Sequence, residues 1–200
     1  MKIAMMTYSL KPRGGVVHAL SLAEAVQKKG AHVELFALRR ADQAEEYPGF
    51  FRETSVPFKI FDFDWQENIK DRLEAMVSAY MRNLPLGFDV YHAQDCVCDT
   101  ALQRLRLSGR LNAPIVRTVH HVEGFADEYL DRCERDAISG DTCKIVVSKY
   151  WHDELLKRFG TESTVIYNGI DPARYTFNAS DREPFALFVG GMEARKGLEF

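Results

Sequence analysis

Cysteine is scarce in this 200-residue chain, and the four present, Cys96, Cys98, Cys133 and Cys143, are too few for a disulfide framework. Cys96-x-Cys98 is also the wrong spacing for a zinc pair. We therefore read reduced thiols in a cytoplasmic protein and expect no metal. Long apolar runs are missing too. None approaches the ~20 residues of a membrane-spanning helix. The first residues, one lysine and then a short apolar run, do not read as a secretory signal. A net charge of −3 lacks the basic excess of a dedicated nucleic-acid binder. Neither internal repeats nor low-complexity tracts occur. Two phosphate-loop signatures are absent as well: there is no G-x-G-x-x-G, and no Gly-Lys-Ser/Thr follows a glycine loop.

What is present is an ordinary globular composition, long enough for one sizeable domain or two small ones. The chain opens with Ile3-Ala4-Met5-Met6, too short for a helix and bounded by polar residues, so a buried strand. Residues 8–15 form a loop stiffened by Pro12 and opened by Gly14-Gly15. Val16, Ala19, Leu20, Ala23 and Val26 then recur at helical spacing up to Lys28-Lys29, and Gly30 is the stop. Strand, Gly-Gly loop, helix is a unit whose loop lies at the carboxyl end of a strand. Ligands bind at such ends, and the helix N-terminus suits an anion. The other reading of the glycines is a tight turn needing positive φ.

The same alternation continues. Strands are expected at 33–38, 56–63, 88–93, 114–119, 144–147 and 165–167. Between them lie helical stripes through Ile69 to Leu84, around Leu102 and Leu105, from Tyr129 to Ile138, and from Trp151 to Phe159 with Ser148 as the cap. Residues 41–53 are polar and irregular. Repeated strand–helix alternation predicts an α/β fold, a parallel sheet with helices on both faces. A polar stretch follows Asp171, and residues 185–189 read as a new buried strand leading to Gly190-Gly191 and Arg195-Lys196-Gly197. One strand without partners is the start of a second domain. We expect a first domain at 1–180 and the beginning of a truncated second one at 181–200.

Taken in order, these segments resemble the amino-terminal half of the family-4 retaining glycosyltransferases, of the GT-B fold with two Rossmann-like domains. The resemblance rests on Gly14-Gly15 with Val16-Val17-His18, on residues 89–93 (DVYHA), and on residues 114–120 (PIVRTVH). It rests also on Val147-Ser148, on residues 165–171 (VIYNGID), and on residues 188–191 with Arg195-Lys196-Gly197. It implies that this half is acceptor-side and that a second domain holds a nucleotide-sugar donor, which acts as co-substrate with no further cofactor. It implies that Lys196 contacts the donor diphosphate. Gly191 stands where the family carries an arginine, a place Arg195 could fill. The family's two glutamates lie beyond the chain's last residue, so the chain alone is expected to be inactive. By the same resemblance His120 is the catalytic residue that contacts the transferred sugar, with His121 as its neighbour.

Other candidates keep two readings. Asp95 either binds an acceptor hydroxyl or caps the following helix. His92 is either an acceptor contact or a satisfied, partly buried histidine. Tyr8, Lys11 and Arg13 flank the glycines and face an anionic ligand or only solvent. Residues 100–122 contain Arg104, Arg106, Arg110 and Arg117 and no acidic residue, so they form either a solvated basic face or a peripheral membrane contact. Two alternatives stand beside the transferase. One is a non-catalytic nucleotide- or sugar-binding module. The other is a Rossmann oxidoreductase, disfavoured by the missing glycine fingerprint and by Arg39-Arg40, which stand where an acidic ribose ligand belongs.

Overall fold

The computed structural model describes residues 1–43, 54–122, 124–174, 176, 184 and 186–190. Two compact units divide the chain, Met1–Asn168 and Gly169–Phe200. In the first, seven parallel strands form one sheet: β1 (Lys2–Thr7), β2 (His32–Arg40), β3 (Phe58–Phe63), β4 (Val90–Ala93), β5 (Ile115–Val119), β6 (Cys143–Val146) and β7 (Thr164–Val165). The helices described between them are α1 (Gly14–Lys28), α2 (Ile69–Asn83), α3 (Cys96–Leu107), α4 (Glu128–Ser139) and α5 (Lys149–Phe159). Short 3-10 turns occur at Ala41–Gln43 and Pro172–Arg174.

The spatial order is β3-β2-β1-β4-β5-β6-β7. Strand order therefore reverses between β1 and β4, the two central strands, which pair from Ile3 with Val90 to Met6 with Ala93. A crevice opens at such a reversal, outside the carboxyl ends of the strands, because the loops leave in opposite directions there.

Burial on both faces follows from the period-two alternation of the strands. In β1, Ile3 and Met5 join the cluster that packs α1, through Val16, Ala19, Leu20 and Ala23. Ala4 and Met6 join the opposite cluster, with Met76, Val77 and Tyr80 of α2 and Val97, Leu102 and Leu105 of α3. A third cluster, Val119, Ile138, Val146 and Leu155, packs α5. Tyr80 is fully buried, and its hydroxyl lies 2.7 Å from the Thr7 carbonyl and 3.0 Å from that of Phe36. The one hydroxyl hydrogen is shared between a carbonyl of β1 and one of β2, and the contact pins α2 against both strands. A net hydrogen bond of this kind contributes about 1 kcal/mol, and an unmet buried carbonyl would cost more.

Local signals end the helices where expected. Ser148 accepts a hydrogen bond from Trp151 N, and Gly160 closes α5 in the left-handed region at φ 64°. Four strands are shorter than the sequence predicts, the fifth only by Pro114. The third begins at Phe58, because Pro57 has no N–H and offers only its carbonyl, 2.8 Å from Leu35 N. The fourth begins at Val90. The seventh ends at Val165, with one further bond from Ile166 N to Val146 O. The expected buried strand at 185–189 is not borne out: residues 186–189 are unpaired and exposed, Leu187 by 76% and Val189 by 84%. An apolar run becomes a buried strand only when a neighbouring edge pairs with it, and these residues have no ladder partner among the described ones.

Candidate functional site

Three segments meet at the crevice: the loop and helix start after β1, the tip of β4, and the tip of β5. Gly14 and Gly15 are the first two residues of α1, behind Arg13 at the cap position. Neither has a positive φ, so the tight-turn explanation of the pair fails. Their value differs. A Cβ on Gly14 would meet nothing within 4 Å, whereas one on Gly15 would lie 3.3 Å from His120 Cδ2 and 3.4 Å from Nε2. Gly15 is thus a place where α1 lies close against the residue that follows β5. The Arg13 side chain does not cap α1 and the first turn holds no acidic residue; Val16 N and Val17 N bond to Arg13 O, so the partial positive charge of the helix start centres on Gly14 N and Gly15 N.

His120 follows directly on β5. Its Nε2 lies 3.0 Å from Gln94 Oε1, at the β4 tip. The same oxygen is 3.1 Å from Nδ1 of His18, one turn into α1. The two imidazoles contact edge to face, with centroids 4.8 Å apart. Burial holds His120 in its neutral form, lowering its pKa to about 3, with the charges of His18, Arg117, His121 and His92 acting in the same sense. Burial lowers His18 too, although the bond to Gln94 opposes it. The site therefore holds neutral imidazoles, which can accept or donate a hydrogen bond but carry no charge at neutral pH.

The remaining candidates sort by their partners. His92 is 8% exposed, and its Nε2 sits 2.8 Å from Thr118 Oγ1 on the neighbouring strand. Burial, with the charge of His18, lowers it to about 4. That is the geometry of a satisfied structural histidine. Asp95 caps α3 through Cys98 N (2.9 Å), and its other oxygen accepts Tyr8 N at 2.8 Å and faces Cys98 Sγ at 3.2 Å. The carboxylate thus ties the loop after β1 to the start of α3. Tyr8 Oη in turn accepts from Arg13 Nη1 at 2.9 Å, orienting an otherwise exposed guanidinium. His121 is exposed and its ring is tilted against Phe125, centroids 6.1 Å apart. Lys196 and Arg195 lie outside the described residues.

The basic-face reading of residues 100–122 gains nothing from the structure. Arg117 is 2% exposed and pairs with Glu134. Arg104 pairs with Glu74 at 2.6 Å, and Arg106 donates to the carbonyls of Asp141 and Ala113. Arg110 is exposed, but most of the charge in the run is used within the fold. Among the described residues no helix is long and apolar enough to cross a membrane.

Sequence reasoning named His120, Gly15 and Asp95 but missed Gln94, and saw His18 only as part of a motif. The signal for Gln94 was its place directly after Ala93, at the tip of a strand beside the reversal.

A seven-stranded parallel sheet with its crevice between β1 and β4 defines a Rossmann-like half of the GT-B type. Solved structures agree on that fold. HepE of Anabaena, crystallised with UDP and glucose, superposes with a TM-score of 0.66 at 17% identity, covering 90% of this chain and 48% of that one. Sucrose-phosphate synthase of Thermosynechococcus elongatus gives 0.61 at 17% identity, over 86% and 49%. The chain belongs to Glycosyltransferase Family 4, whose family model matches residues 12–174. An uncharacterized glycosyltransferase of Methanocaldococcus jannaschii is 26% identical over 242 aligned residues, which take in 100% of this chain and 58% of that protein. Glycogen synthase of Mycobacterium tuberculosis is 33% identical over 147 residues, 62% of this chain and 34% of that enzyme. The chain thus spans only about a third to three-fifths of these curated relatives.

Proposed function

We propose that this chain is the acceptor-side half of a retaining glycosyltransferase that moves a sugar from a nucleotide-sugar donor to an acceptor hydroxyl. The observation that carries the reading is the meeting of Gly15, His18, Gln94 and His120 at the β1/β4 reversal of a family-4 sheet. Glycosyl transfer develops negative charge on the departing diphosphate. The uncapped start of α1 offers N–H groups and partial positive charge to it, an electrostatic contribution that is fixed before the reaction begins.

His120 contacts the transferred sugar in this reading. As a neutral imidazole it orients a hydroxyl and does not compete with the diphosphate for charge. Arg13, held by Tyr8, and His121 border the acceptor. Lys196 and Arg195, by their family positions, belong to the donor phosphates, in a second domain beginning after the first compact unit. The chain spans about half of the matched structures, and in this reading turnover needs donor-side residues outside the first compact unit.

A panel of nucleotide sugars offered to the full-length protein and to the 200-residue chain tests this. The expected result is nucleoside diphosphate release that depends on acceptor, with retained anomeric configuration, by the full-length protein only. Comparable turnover by the chain alone would overturn its assignment as half a site. No binding of any nucleotide sugar by the full-length protein would overturn the transferase reading.

A further inference from the structure

We propose that Gln94 is a positioning residue that holds two histidines in opposite neutral tautomers, His18 with its proton on Nδ1 and His120 with its proton on Nε2. The argument begins with the amide. Gln94 is 4% exposed, and its backbone N–H is fixed by Met6 O at 3.1 Å. Its Oε1 faces His18 Nδ1 at 3.1 Å and His120 Nε2 at 3.0 Å, and its Nε2 faces Met5 Sδ at 3.1 Å.

A carboxamide oxygen only accepts, so each ring nitrogen that faces it carries a hydrogen. The amide orientation follows from the network. Reversing it would set the oxygen against the thioether sulfur, two acceptors facing each other, and would waste the one donor Met5 can use. A single oxygen with two lone pairs serves both rings, and their edge-to-face contact at 4.8 Å suits two uncharged imidazoles.

The consequence is directional. With Nε2 of His120 occupied, Nδ1 is the nitrogen left to a ligand, and it carries a lone pair. His120 is then a hydrogen-bond acceptor, selecting a group that donates, such as a sugar hydroxyl. His18 is likewise left with Nε2 as an acceptor. The catalytic meaning of this rests on the function proposed above; the tautomers themselves do not. The groups that act on the His120 ring are His18 on α1, His92 on β4, Arg117 on β5 and His121 in the following loop. None of these is a carboxylate, so no partner draws a second proton onto the ring.

The test is nitrogen-15 NMR of the 200-residue chain labelled at its six histidines, assigned by single histidine-to-glutamine variants. At neutral pH the ring shifts of His18 are expected to report Nδ1–H and those of His120 Nε2–H. Gln94→Leu should abolish that bias and leave mixed tautomers. Gln94→Glu keeps the shape but puts a carboxylate between the rings, so the histidines should titrate at higher pH than in the parent. In the full-length enzyme the acid limb of the pH–rate profile should then move up by about one unit or more. A merely structural glutamine would move neither the tautomers nor that limb. The proposal is overturned if the parent shows the opposite tautomer at either ring, or if Gln94→Leu leaves the pattern unchanged. Should Gln94→Leu fail to fold, unshifted histidine titration in Gln94→Glu overturns it equally. The NMR arm stands whether or not the protein transfers a sugar, so it separates this inference from the proposed function.

Discussion

His120 fills the space that a side chain at position 15 would need: a Cβ there would lie 3.3 Å from its Cδ2. Contacts that short are rarely tolerated, so the imidazole must give way. Gly15→Val should displace His120 from Gln94 and lower turnover in the full-length protein, with little change in melting temperature. Gly14→Ala is the control. Its added methyl meets nothing within 4 Å, and alanine suits a helical position better than glycine, so activity should persist with stability equal or slightly higher. Equal activity in Gly15→Val and Gly14→Ala would reduce the pair to a helix start.

Most of the sheet could be read from the sequence, because β1 is a short apolar run bounded by polar residues and α1 carries apolar residues at helical spacing. The site was only half legible. Gly15 read either as a glycine opening a ligand loop or as a turn glycine, yet its constraint is a close approach to a residue about a hundred positions away, which no local pattern encodes. Asp95 was correctly seen as a possible cap, but its second bond, to Tyr8 N, depends on β1 and β4 being neighbours. The arginine run misled for the opposite reason. Arg117 points into the fold and meets Glu134 on α4, a tertiary contact that a linear charge count misses.

The second prediction separates the adjacent histidines. His120→Ala removes a group proposed to hold the sugar more firmly in the transition state than before it. Turnover by the full-length enzyme should fall by roughly a hundredfold, the scale of one lost electrostatic contact. His121→Ala should change it far less, since that ring is exposed and tilted against Phe125. Steady-state kinetics together with thermal melts decide the matter. Strong destabilisation of His120→Ala with specific activity preserved would assign the residue to structure.

The third concerns pH and the buried His92. Its folded pKa is about 4 against 6.5 when unfolded. Between those values the unfolded chain binds a proton that the folded chain does not. Stability therefore rises with pH across this window and is flat above it, by up to about 1.4 kcal/mol per pH unit for each such histidine. His120, lowered further, adds in the same direction. Urea unfolding between about pH 5 and 7 reads this slope while avoiding Lys144, whose burial lowers it only to about 8. His92→Gln should flatten the slope by close to one proton. An unchanged slope would show that His92 is protonated in the folded protein.

The last prediction concerns the ion pair beneath the site. Arg117 is 2% exposed, its Nη2 lies 2.5 Å from Glu134 Oε1, and its Nε and Nη1 have no hydrogen-bond partner among the described residues. Nearby Asp99 is fully buried, with Oδ1 equally unmatched. Desolvating a guanidinium is expensive, and one carboxylate offsets it only while the pair is intact. Glu134→Ala should therefore cost about 3–5 kcal/mol, far more than an ordinary surface substitution, because a buried positive charge loses the carboxylate that hydrogen-bonds it and keeps only the more distant charge of Asp99 among its described acidic neighbours. Removing both charges behaves differently. The pair Arg117→Met with Glu134→Leu keeps the volume and removes both charges of the pair, leaving Asp99 with Lys144 and Gln103 beside it, so it should recover part of that loss. Equilibrium unfolding of the parent, both single variants and the double variant gives the coupling directly. If Glu134→Ala were mild and the double variant no better, Arg117 would be solvated in the folded protein by water between its free nitrogens and Asp99, and the ion pair would contribute little to holding α4 against β5.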